Sequence, residues 1–510
     1  MRTCTIALLI PAVAQLTAQP GMLDPSFSGD GKQTTDVGLA TFDEAYALAI
    51  QADGAIIVAG TSGYSGTQDF AAVRYLGDGT PDPAFGSGGK ALVSVEPGDD
   101  IARAMAVQAD GRIVLGGYSY TGLGIGFAMV RLNADGTADA SFGTGGIVTT
   151  VTPGDATLQA RSLAIQPDNR ILLAGGGAFG FAIMRYTTNG DPDSTFGGDG
   201  LVTVDFSDGS DQATAMALLP DDRILVVGYA AGLVEDSIAM ARLMPDGSLD
   251  PGFGAGGKQR VAYPTLPSIG LGTDLLPDGR FVVCGYANSS SIIGRFNANG
   301  TSDTSFNLFG WRLLSFAGTV GSKLYGVHVQ ADDRIALGGI GYGATPNFLV
   351  VNLNYDGSFD TGFGTGGYTL TDFNALIDDG FALAAQTDGR LVLAGRTDGG
   401  VNDLDFAIAR YMPDLTVAVG GSVGSARSLE VFPVPLGSHV TVSYTLPAAD
   451  RIGMQLIDPQ GRVVHMIMKG VLRGAGSQRE VLAVPASLTC GAYILRVYGG
   501  RIDERMVLVR

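Results

Sequence analysis

The chain has 510 residues, including 77 glycines and 22 prolines, and 45% of it is hydrophobic while only 16% is charged. This hydrophobic content excludes a disordered chain, and the length exceeds what one ordinary core serves. The net charge of −18 is uneven, since residues 415–510 carry +4 and the remainder carries −22. Because an acidic surface repels phosphate, we expect neither nucleic acid nor anionic membrane as a partner.

The first twenty residues, MRTCTIALLIPAVAQLTAQP, contain one basic residue, then an apolar run, then small residues. This pattern is typical of a secretory signal peptide, which we place at residues 1–18. Cys4 precedes the apolar run and cannot carry a lipoprotein lipid, and the mature chain would keep only Cys284 and Cys490. No later apolar run is long enough to span a bilayer. The sequence therefore predicts an exported protein that has no transmembrane segment and no disulfide framework.

A polar, glycine-rich turn recurs seven times, in forms such as NADGTADASFGTGG at residues 133–146. Its phenylalanines are 53–58 residues apart and fall at Phe27, Phe85, Phe142, Phe196, Phe253, Phe306 and Phe363. Each full unit contains a hairpin such as ALAIQADGAIIVAG (47–60), a third strand such as DFAAVRYL (69–76) and a fourth such as KALVSV (90–95). Four strands in a period of this length predict a β-propeller blade, because solenoid repeats are usually shorter.

The order of the strands predicts how the ring closes. A lone strand, GKQTTDV (31–37), precedes the first hairpin, and the last unit ends with its third strand, DFAIARYM (405–412). The N-terminal strand can supply the missing fourth strand, which leaves no open edge. We therefore predict an all-β protein in which residues 23–414 form a seven-bladed β-propeller closed by an N-terminal strand.

Three elements recur in order: D-P-x-F-G-x-G-G, A-x-A-x-Q-x-D-G-R-I-V-x-A-G and D-F-A-x-x-R-Y-x-x-D-G. Together they resemble the bacterial delta-60 propeller repeat over roughly residues 23–414. Some copies depart from the pattern, such as SFNLFGW at Ser305 and Ser290-Ser291 in place of Asp-Phe. The resemblance implies a fold, and it implies no agreed activity.

The repeated turn has two interpretations. Its Asp and Asn side chains can hydrogen-bond their own backbone while its glycines supply positive φ, which makes the repetition a scaffold. Alternatively, Asn133, Asp135 and Asp139 offer oxygens at the tight spacing of a calcium site, although the distal glutamate of an EF-hand loop is missing. We favour the self-contained turn, keep calcium as the alternative, and predict no other cofactor.

Catalytic motifs are scarce. The chain has three histidines and contains no H-E-x-x-H and no Cys/His cluster. One first-strand position is alanine in five units but Asp274 in the fifth and His328 in the sixth, which predicts a polar break near the ring axis. A water-bridged pair explains this break, and a ligand or metal site is the alternative. We therefore predict no catalytic, cofactor-binding or metal-ligating residue.

The loops that follow the second strand differ from copy to copy. They carry six tyrosines that we expect near one rim: Tyr64, Tyr118, Tyr120, Tyr229, Tyr286 and Tyr342. Variable loops on a rigid scaffold are where binding usually resides, and tyrosine combines contact area with a polar tip, although these rings could merely cover the blade ends. We expect a non-catalytic scaffold that binds a glycan, a peptide or a surface protein. The alternative is an extracellular polysaccharide hydrolase or lyase with carboxylates on this face.

After residue 414 the period stops. The Gly/Ser-rich segment at residues 415–428 predicts a linker, and alternating strands in residues 429–510 predict a small Ig-like β-sandwich.

This last module looks like the type A C-terminal sorting domain of the type IX secretion system of Bacteroidetes-like bacteria. The residues that carry the resemblance are Pro433, Pro435, Asp458, Gly461, Arg462, Gly491 and Tyr493. Val434 and Cys490 depart from the Asn and Ala that are usual in the family. The resemblance implies export through the periplasm, the type IX machinery as a partner, and release from or attachment to the outer cell surface. A carbohydrate-binding or fibronectin-like module is the alternative.

Overall fold

A computed structural model describes residues 19–38, 42–152, 154–206, 210–232, 236–263, 266–307, 309–374, 376–400, 403–413, 430–432, 439–446, 449–457, 463–474, 476–483, 492–498 and 503–509. The chain divides into two compact units, Met1–Asp414 and Leu415–Arg510. Within the described ranges every regular element is a β-strand. No helix in this part of the chain is long and apolar enough to cross a membrane. The predicted signal peptide and linker lie outside the described residues.

The first unit contains 28 strands. In chain order they are β1 Lys32–Thr35, β2 Glu44–Ile50, β3 Ile56–Ser62, β4 Asp69–Tyr75, β5 Lys90–Val93, β6 Asp100–Val107, β7 Ile113–Thr121, β8 Gly124–Leu132, β9 Ile147–Thr150, β10 Gln159–Ile165, β11 Ile171–Gly177, β12 Gly180–Tyr186, β13 Leu201–Val204, β14 Asp211–Leu218, β15 Ile224–Ala230, β16 Ser237–Leu243, β17 Lys258–Val261, β18 Ser268–Leu275, β19 Phe281–Ala287, β20 Ser290–Phe296, β21 Trp311–Leu314, β22 Gly321–Val329, β23 Ile335–Tyr342, β24 Pro346–Leu353, β25 Tyr368–Thr371, β26 Asp378–Ala385, β27 Leu391–Gly400 and β28 Asp403–Tyr411.

From β2 onward these strands form consecutive antiparallel groups of four. The groups β2–β5, β6–β9, β18–β21 and β22–β25 are separate sheets, while β10–β13 and β14–β17 are joined by the single pair Gly176–Gln212. The second strand of a group is an unbroken apolar run, as in β3, where all seven residues are buried. Such a run indicates a sheet covered on both faces, and Ile57 of β3 shares a cluster with Ile113 and Leu115 of β7 in the next group.

The last group, β26–β28, is completed from the other end of the repeat region. Strand β1 pairs antiparallel with β28, in the register Lys32–Ala409 to Thr35–Phe406. Val58 of the first group and Val392 of the last share an apolar cluster with Phe27. The first and last groups therefore pack against each other, with the N-terminal segment between them.

An arginine, buried in five cases and partly exposed in the case of Arg74, links each of six groups to the following one. In the second group, Arg131 Nε donates to Asp139 Oδ2 at 2.7 Å, and its Nη1 donates to the carbonyl of Thr188 in the next turn at 2.6 Å. The guanidinium also lies 4.4 Å from the centre of the Phe142 ring. We call this arrangement the arginine latch, and its arginines are Arg74, Arg131, Arg185, Arg242, Arg295 and Arg410.

The latch explains why the polar turn is repeated. Phe85 is fully buried and packs against Gly136 of the next turn, where an added Cβ would come within 3.0 Å of the ring. Gly136 also has φ of +83°, which only glycine adopts readily. A backbone bond from Gly86 N to the Asp135 carbonyl, 2.7 Å long, joins the same two turns. Each turn therefore packs its phenylalanine against the glycine of the following turn, and its own glycine contacts the phenylalanine of the preceding turn.

The sixth group departs from this pattern, because Asn352 replaces the arginine. Asn352 Nδ2 still donates to Asp360 at 3.0 Å, and Arg334 from the hairpin turn reaches the same carboxylate at 2.9 Å. Arg312, on β21 of the fifth group, lies over a different ring, Phe359, at 4.7 Å from the ring centre. The contact to the aspartate is thus kept in the sixth group, while the contact between a latch arginine and the repeated phenylalanine is not.

The second unit contains two antiparallel sheets that share one apolar core. Its strands are β29 Glu430–Phe432, β30 His439–Leu446, β31 Asp450–Ile457, β32 Val463–Arg473, β33 Gly476–Ala483, β34 Ala492–Tyr498 and β35 Asp503–Val509. The sheets have the orders β29-β30-β33 and β32-β31-β34-β35. Tyr444 from the first and Met454 and Leu495 from the second lie in the core.

We predict that a chain beginning at residue 38 melts about 10 °C or more below a chain beginning at residue 19. The deletion removes β1 and also Asp24, whose Oδ2 accepts from Arg410 Nε at 2.8 Å and from Arg390 Nε at 2.7 Å. An exposed strand edge and an unpaired buried arginine both destabilise the folded state, so the free energy of unfolding should fall by several kcal/mol. Thermal unfolding followed by circular dichroism measures it. Equal melting temperatures would mean that β1 does not close the ring.

Candidate functional site

The first strand of each group, which we call the inner strand, contains a β-bulge near its start. The pairing register with the second strand skips one residue in each of the seven inner strands. The skipped residues, which we call the bulge ring, are Tyr46, Arg103, Arg161, Thr214, Leu271, Tyr325 and Phe381. A bulge leaves its extra residue out of the ladder and re-aims its side chain.

All seven bulge-ring residues line one cavity of about 610 Å³. Because the beginning of an inner strand pairs with the end of the second strand, the ring lies toward the face formed by the variable loops. The flanking inner-strand residues are small, such as Ala45 and Ala47, or Ala102 and Ala104. The cavity is therefore shaped by one side chain from each group, and these side chains differ around the circle.

Two of these side chains are arginines on neighbouring groups. The buried Nε atoms of Arg103 and Arg161 have no hydrogen-bond partner, and neither guanidinium forms an ion pair with a described carboxylate. Burial, and then repulsion from Arg103, lowers the pKa of Arg161. Arg103 lies flat over Tyr46, with its guanidinium carbon 3.7 Å from the ring centre.

The carboxylates nearest the cavity are already engaged. Arg396, which also lines it, bonds Glu44 and donates to Asp379 Oδ2 at 2.7 Å. The Tyr46 hydroxyl donates to Glu44 Oε2 at 2.6 Å. Arg396 is thus shared by two carboxylates, while Arg103 and Arg161 form no ion pair with a described carboxylate.

The six predicted tyrosines fall into two sets. Tyr118, Tyr229 and Tyr286 share one register position at the end of their second strands, opposite the residue that lies two before the bulge. These three and Tyr342 are buried or half-buried, whereas Tyr64 and Tyr120 are 50% and 46% exposed. The first set is therefore packed into the ends of the second strands without lining the cavity, and Tyr64 and Tyr120 face solvent.

The predicted polar break forms a contact at the other end of the inner strands. His328 Nδ1 lies 3.5 Å from Asp274 Oδ2, and both side chains are about one-third exposed. The same carboxylate oxygen accepts from Val329 N at 2.7 Å. This partly solvated pair bridges two neighbouring groups.

The turns considered for calcium use their carboxylates internally. Asp135 Oδ1 accepts from Thr137 N and Oγ1, and Asp139 Oδ1 accepts from Ser141 N and Oγ. The remaining oxygen of Asp139 accepts from the latch arginine, and Asn133 Nδ2 donates to Thr137 at 3.0 Å. These hydrogen bonds are those of a self-contained turn.

A different group of carboxylates could hold a metal ion. Asp36, Asp43 and Asp405 bring one oxygen each within 4.8 Å of one another, where the N-terminal segment meets the last group. Burial, and then the charges of Asp403, Asp36 and Asp43, raises the pKa of Asp405 to about 6. Asp43 Oδ2 accepts from Val37 N, a loop-closing bond that Asp100 and other aspartates repeat elsewhere. Nothing in the sequence pattern pointed to this cluster.

The predicted sorting motif is described only in part. Pro433, Pro435, Asp458, Gly461, Arg462 and Gly491 lie outside the described residues. Tyr493, on β34, is 7% exposed and belongs to the core of the second unit. Its side chain therefore has a packing role.

Sequence reasoning missed the bulge ring. The seven residues occupy one column of the repeat that holds Tyr, Arg, Arg, Thr, Leu, Tyr and Phe, and apart from Leu324 their neighbours in the chain are alanine, glycine or serine. A changing residue between small neighbours was the available signal. The reason for it, a skipped pairing position, is visible only in the strand register.

Six stretches of the chain match the family described as "Domain of unknown function (DUF5122) beta-propeller", namely residues 51–85, 108–142, 166–196, 219–253, 276–306 and 386–417. With the strand pairing, these matches show a repeat β-propeller. No curated protein matches the chain significantly.

Several solved structures resemble this chain at low identity. The PQQ-bound aldose sugar dehydrogenase from Streptomyces coelicolor is 14% identical with a TM-score of 0.35, over 61% of this chain and 94% of that one. A protein from Lactobacillus plantarum is 12% identical with a TM-score of 0.40, over 84% and 98%. The polysaccharide lyase Uly1 is 11% identical with a TM-score of 0.40, over 78% and 98%. None of these likenesses bears on activity.

We predict that Asp405→Asn raises the melting temperature by a few degrees at pH 7.5 and has no such effect at pH 4. Because the folded carboxyl holds its proton up to about pH 6, stability falls as pH rises from about 4 to about 6, and the amide removes this loss. Thermal melts in EDTA at the two pH values measure it. A lower melting temperature for the variant at pH 7.5 would contradict the prediction.

Proposed function

We propose that this protein is a secreted or cell-surface β-propeller of seven blades that binds a ligand at its variable face and catalyses no reaction. One observation carries the proposal: the latches repeat around the structure, while the bulge ring and the neighbouring loops change from group to group. A binding scaffold needs a rigid structure and a surface whose residues can change, and the repeated latches and the variable bulge ring supply these two features.

The strand groups support the blade number. Seven groups of four strands arise when β1 is counted with β26–β28, and the first and last groups share an apolar cluster. The latch of Arg410 spans the same junction, since it bonds Asp24 of the N-terminal segment and the Gly77 carbonyl of the first group. A closed seven-bladed ring accounts for all three features.

We also propose that the second unit is an Ig-like type IX sorting domain and that residues 1–18 are a signal peptide. The sequence motifs of the two segments are the support, together with the self-contained core of the second unit. A module with its own core can be recognised and removed without unfolding the propeller. Export would then run through the periplasm to the outer cell surface.

The alternative function is that of an extracellular polysaccharide hydrolase or lyase. The observation in its favour is the cluster of Asp36, Asp43 and Asp405, because Asp405 has its pKa raised to about 6 by burial and the neighbouring carboxylates. Two carboxyl groups of different pKa are the usual machinery of glycoside hydrolysis. Turnover of a polysaccharide that is abolished by Asp405→Asn would replace the binding proposal with this one.

We expect the full chain to bind specific members of a glycan or peptide array and to lose at least about tenfold in affinity when Tyr64 and Tyr120 are both replaced by alanine. These are the predicted rim tyrosines that face solvent. Leu76→Ala is the matched control, because Leu76 is 40% exposed but lies in a turn on the opposite face. An unchanged affinity in the tyrosine variant would place the ligand away from this part of the rim.

We expect a chain ending at Ser428 to fold and to accumulate in the periplasm, since the strands of the first unit pair without the second. Residues 415–510 fused to an unrelated exported protein should carry that cargo to the outer surface. Cell fractionation with protease accessibility measures both outcomes. Surface display of the shortened chain would show that the second unit is a binding module and not a sorting signal.

A further inference from the structure

We propose that the cavity bordered by the bulge ring binds a carboxylate-bearing sugar ring, a uronate, with the carboxylate held by Arg103 and Arg161. This inference rests on the proposed binding function and names the ligand class for the central cavity, separately from the tyrosine rim.

The arginine pair favours an anion. Arg103 and Arg161 come from adjacent inner strands, β6 and β10, and their buried Nε atoms have no acceptor. Elsewhere in the same unit, buried arginines such as Arg131 and Arg185 each have an aspartate at 2.7 Å. Since most described arginines of this acidic unit pair with a carboxylate, two neighbouring guanidiniums without one leave a place for an incoming carboxylate. Arginine forks fit the planar carboxylate geometrically.

The part of the bulge ring that adjoins Arg103 on its other side is aromatic. Tyr325 and Phe381 have ring centres 5.2 Å apart, and so do Phe381 and Tyr46. Tyr46 in turn lies under Arg103. The aromatic arc therefore runs directly into the arginine pair, and burial raises the pKa of both Tyr46 and Tyr325, which keeps these phenols neutral. A ligand with one flat, C–H-rich face and one carboxylate matches this sequence of surfaces.

A hydroxyl-bearing ligand is favoured by a third feature. Ser162, Thr214 and Thr273 line the cavity and carry hydroxyl groups. Tyr118 and Tyr229 lie close enough to Arg161 to influence its pKa. Side-chain hydroxyls accept hydrogen bonds from sugar hydroxyls, which an aromatic acid lacks. The cavity volume of about 610 Å³ lies within the usual range of roughly 300–1,000 Å³ for small-molecule sites.

The test is calorimetric titration of the full chain with D-glucuronate, with D-glucose and benzoate as comparison ligands. We expect glucuronate to bind at least about tenfold more tightly than either, because only it offers both a carboxylate and hydroxyls. Arg161→Met and Arg103→Met should each weaken glucuronate binding at least about tenfold. Arg112→Ala is the matched control and should change nothing, since Arg112 is a 41% exposed arginine paired with Asp110 and Asp139.

Thermal melts of the variants serve as the control that they still fold. Replacing Arg161 removes a desolvated charge without a partner, so Arg161→Met should melt no lower than the parent chain. Absence of glucuronate binding by the parent chain, or full affinity in Arg161→Met, would overturn the inference, and equal binding of benzoate would overturn the sugar assignment. The Arg103→Met, Arg161→Met double variant and the variant that lacks the rim tyrosines Tyr64 and Tyr120 separate the two proposals. If the arginine variant still binds the array ligand and the tyrosine variant does not, the proposed binding function stands and the uronate inference fails.

Discussion

The arginine latch is the interaction on which the rest of the first unit depends. A strand of a propeller group ends in a polar turn, and a polar turn cannot be packed against its neighbour unless its carboxylate is neutralised. Arg131 shows the solution, because one guanidinium pairs with Asp139, covers Phe142 and bonds the backbone of the next turn. Burying such a pair contributes little net stability over an apolar contact, but it fixes one geometry. The same geometry, repeated in six of the seven groups, sets how neighbouring groups are placed.

The residues that hold neighbouring groups together lie in the turns, and the residues that line the cavity lie on the inner strands, which explains where variation is tolerated. The turns carry the glycines, aspartates and phenylalanines of the latch, so they repeat almost unchanged. The inner strands carry no latch residue. The bulge in each of them adds one side chain to the central cavity, and the pairing resumes after it. Arg103 and Arg161 could arise at this position although no described carboxylate pairs with them, since the latches that hold the groups together do not involve them. Function and stability are thereby assigned to different residues of one repeat.

The four-stranded groups and their repeated turns could largely be predicted from the sequence, because turn signals and strand alternation are local. The pairing of β1 with β28 followed from counting strands, and the self-contained turns followed from the side chains of Asp and Asn. The central cavity could not be predicted, because a bulge depends on the register between two strands. The acidic cluster was missed because Asp36 and Asp405 are far apart in the chain and meet only when the ends do. Of the six rim tyrosines, sequence could not separate the half-buried Tyr229 from the exposed Tyr64.

The central claim, that buried latches hold neighbouring groups together, is tested most directly by a double-mutant cycle on Arg131 and Asp139. The free energy of unfolding is measured by denaturant titration for the parent chain, Arg131→Ala, Asp139→Ala and the double variant. The account predicts a coupling energy of about 2 kcal/mol or more, because Asp139→Ala leaves the buried Arg131 guanidinium without a carboxylate, and Arg131→Ala leaves Asp139 only the longer contact to the exposed Arg112, at 3.4 Å. A coupling energy below about 0.5 kcal/mol would mean that the two residues act independently and that the latch does not hold the ring.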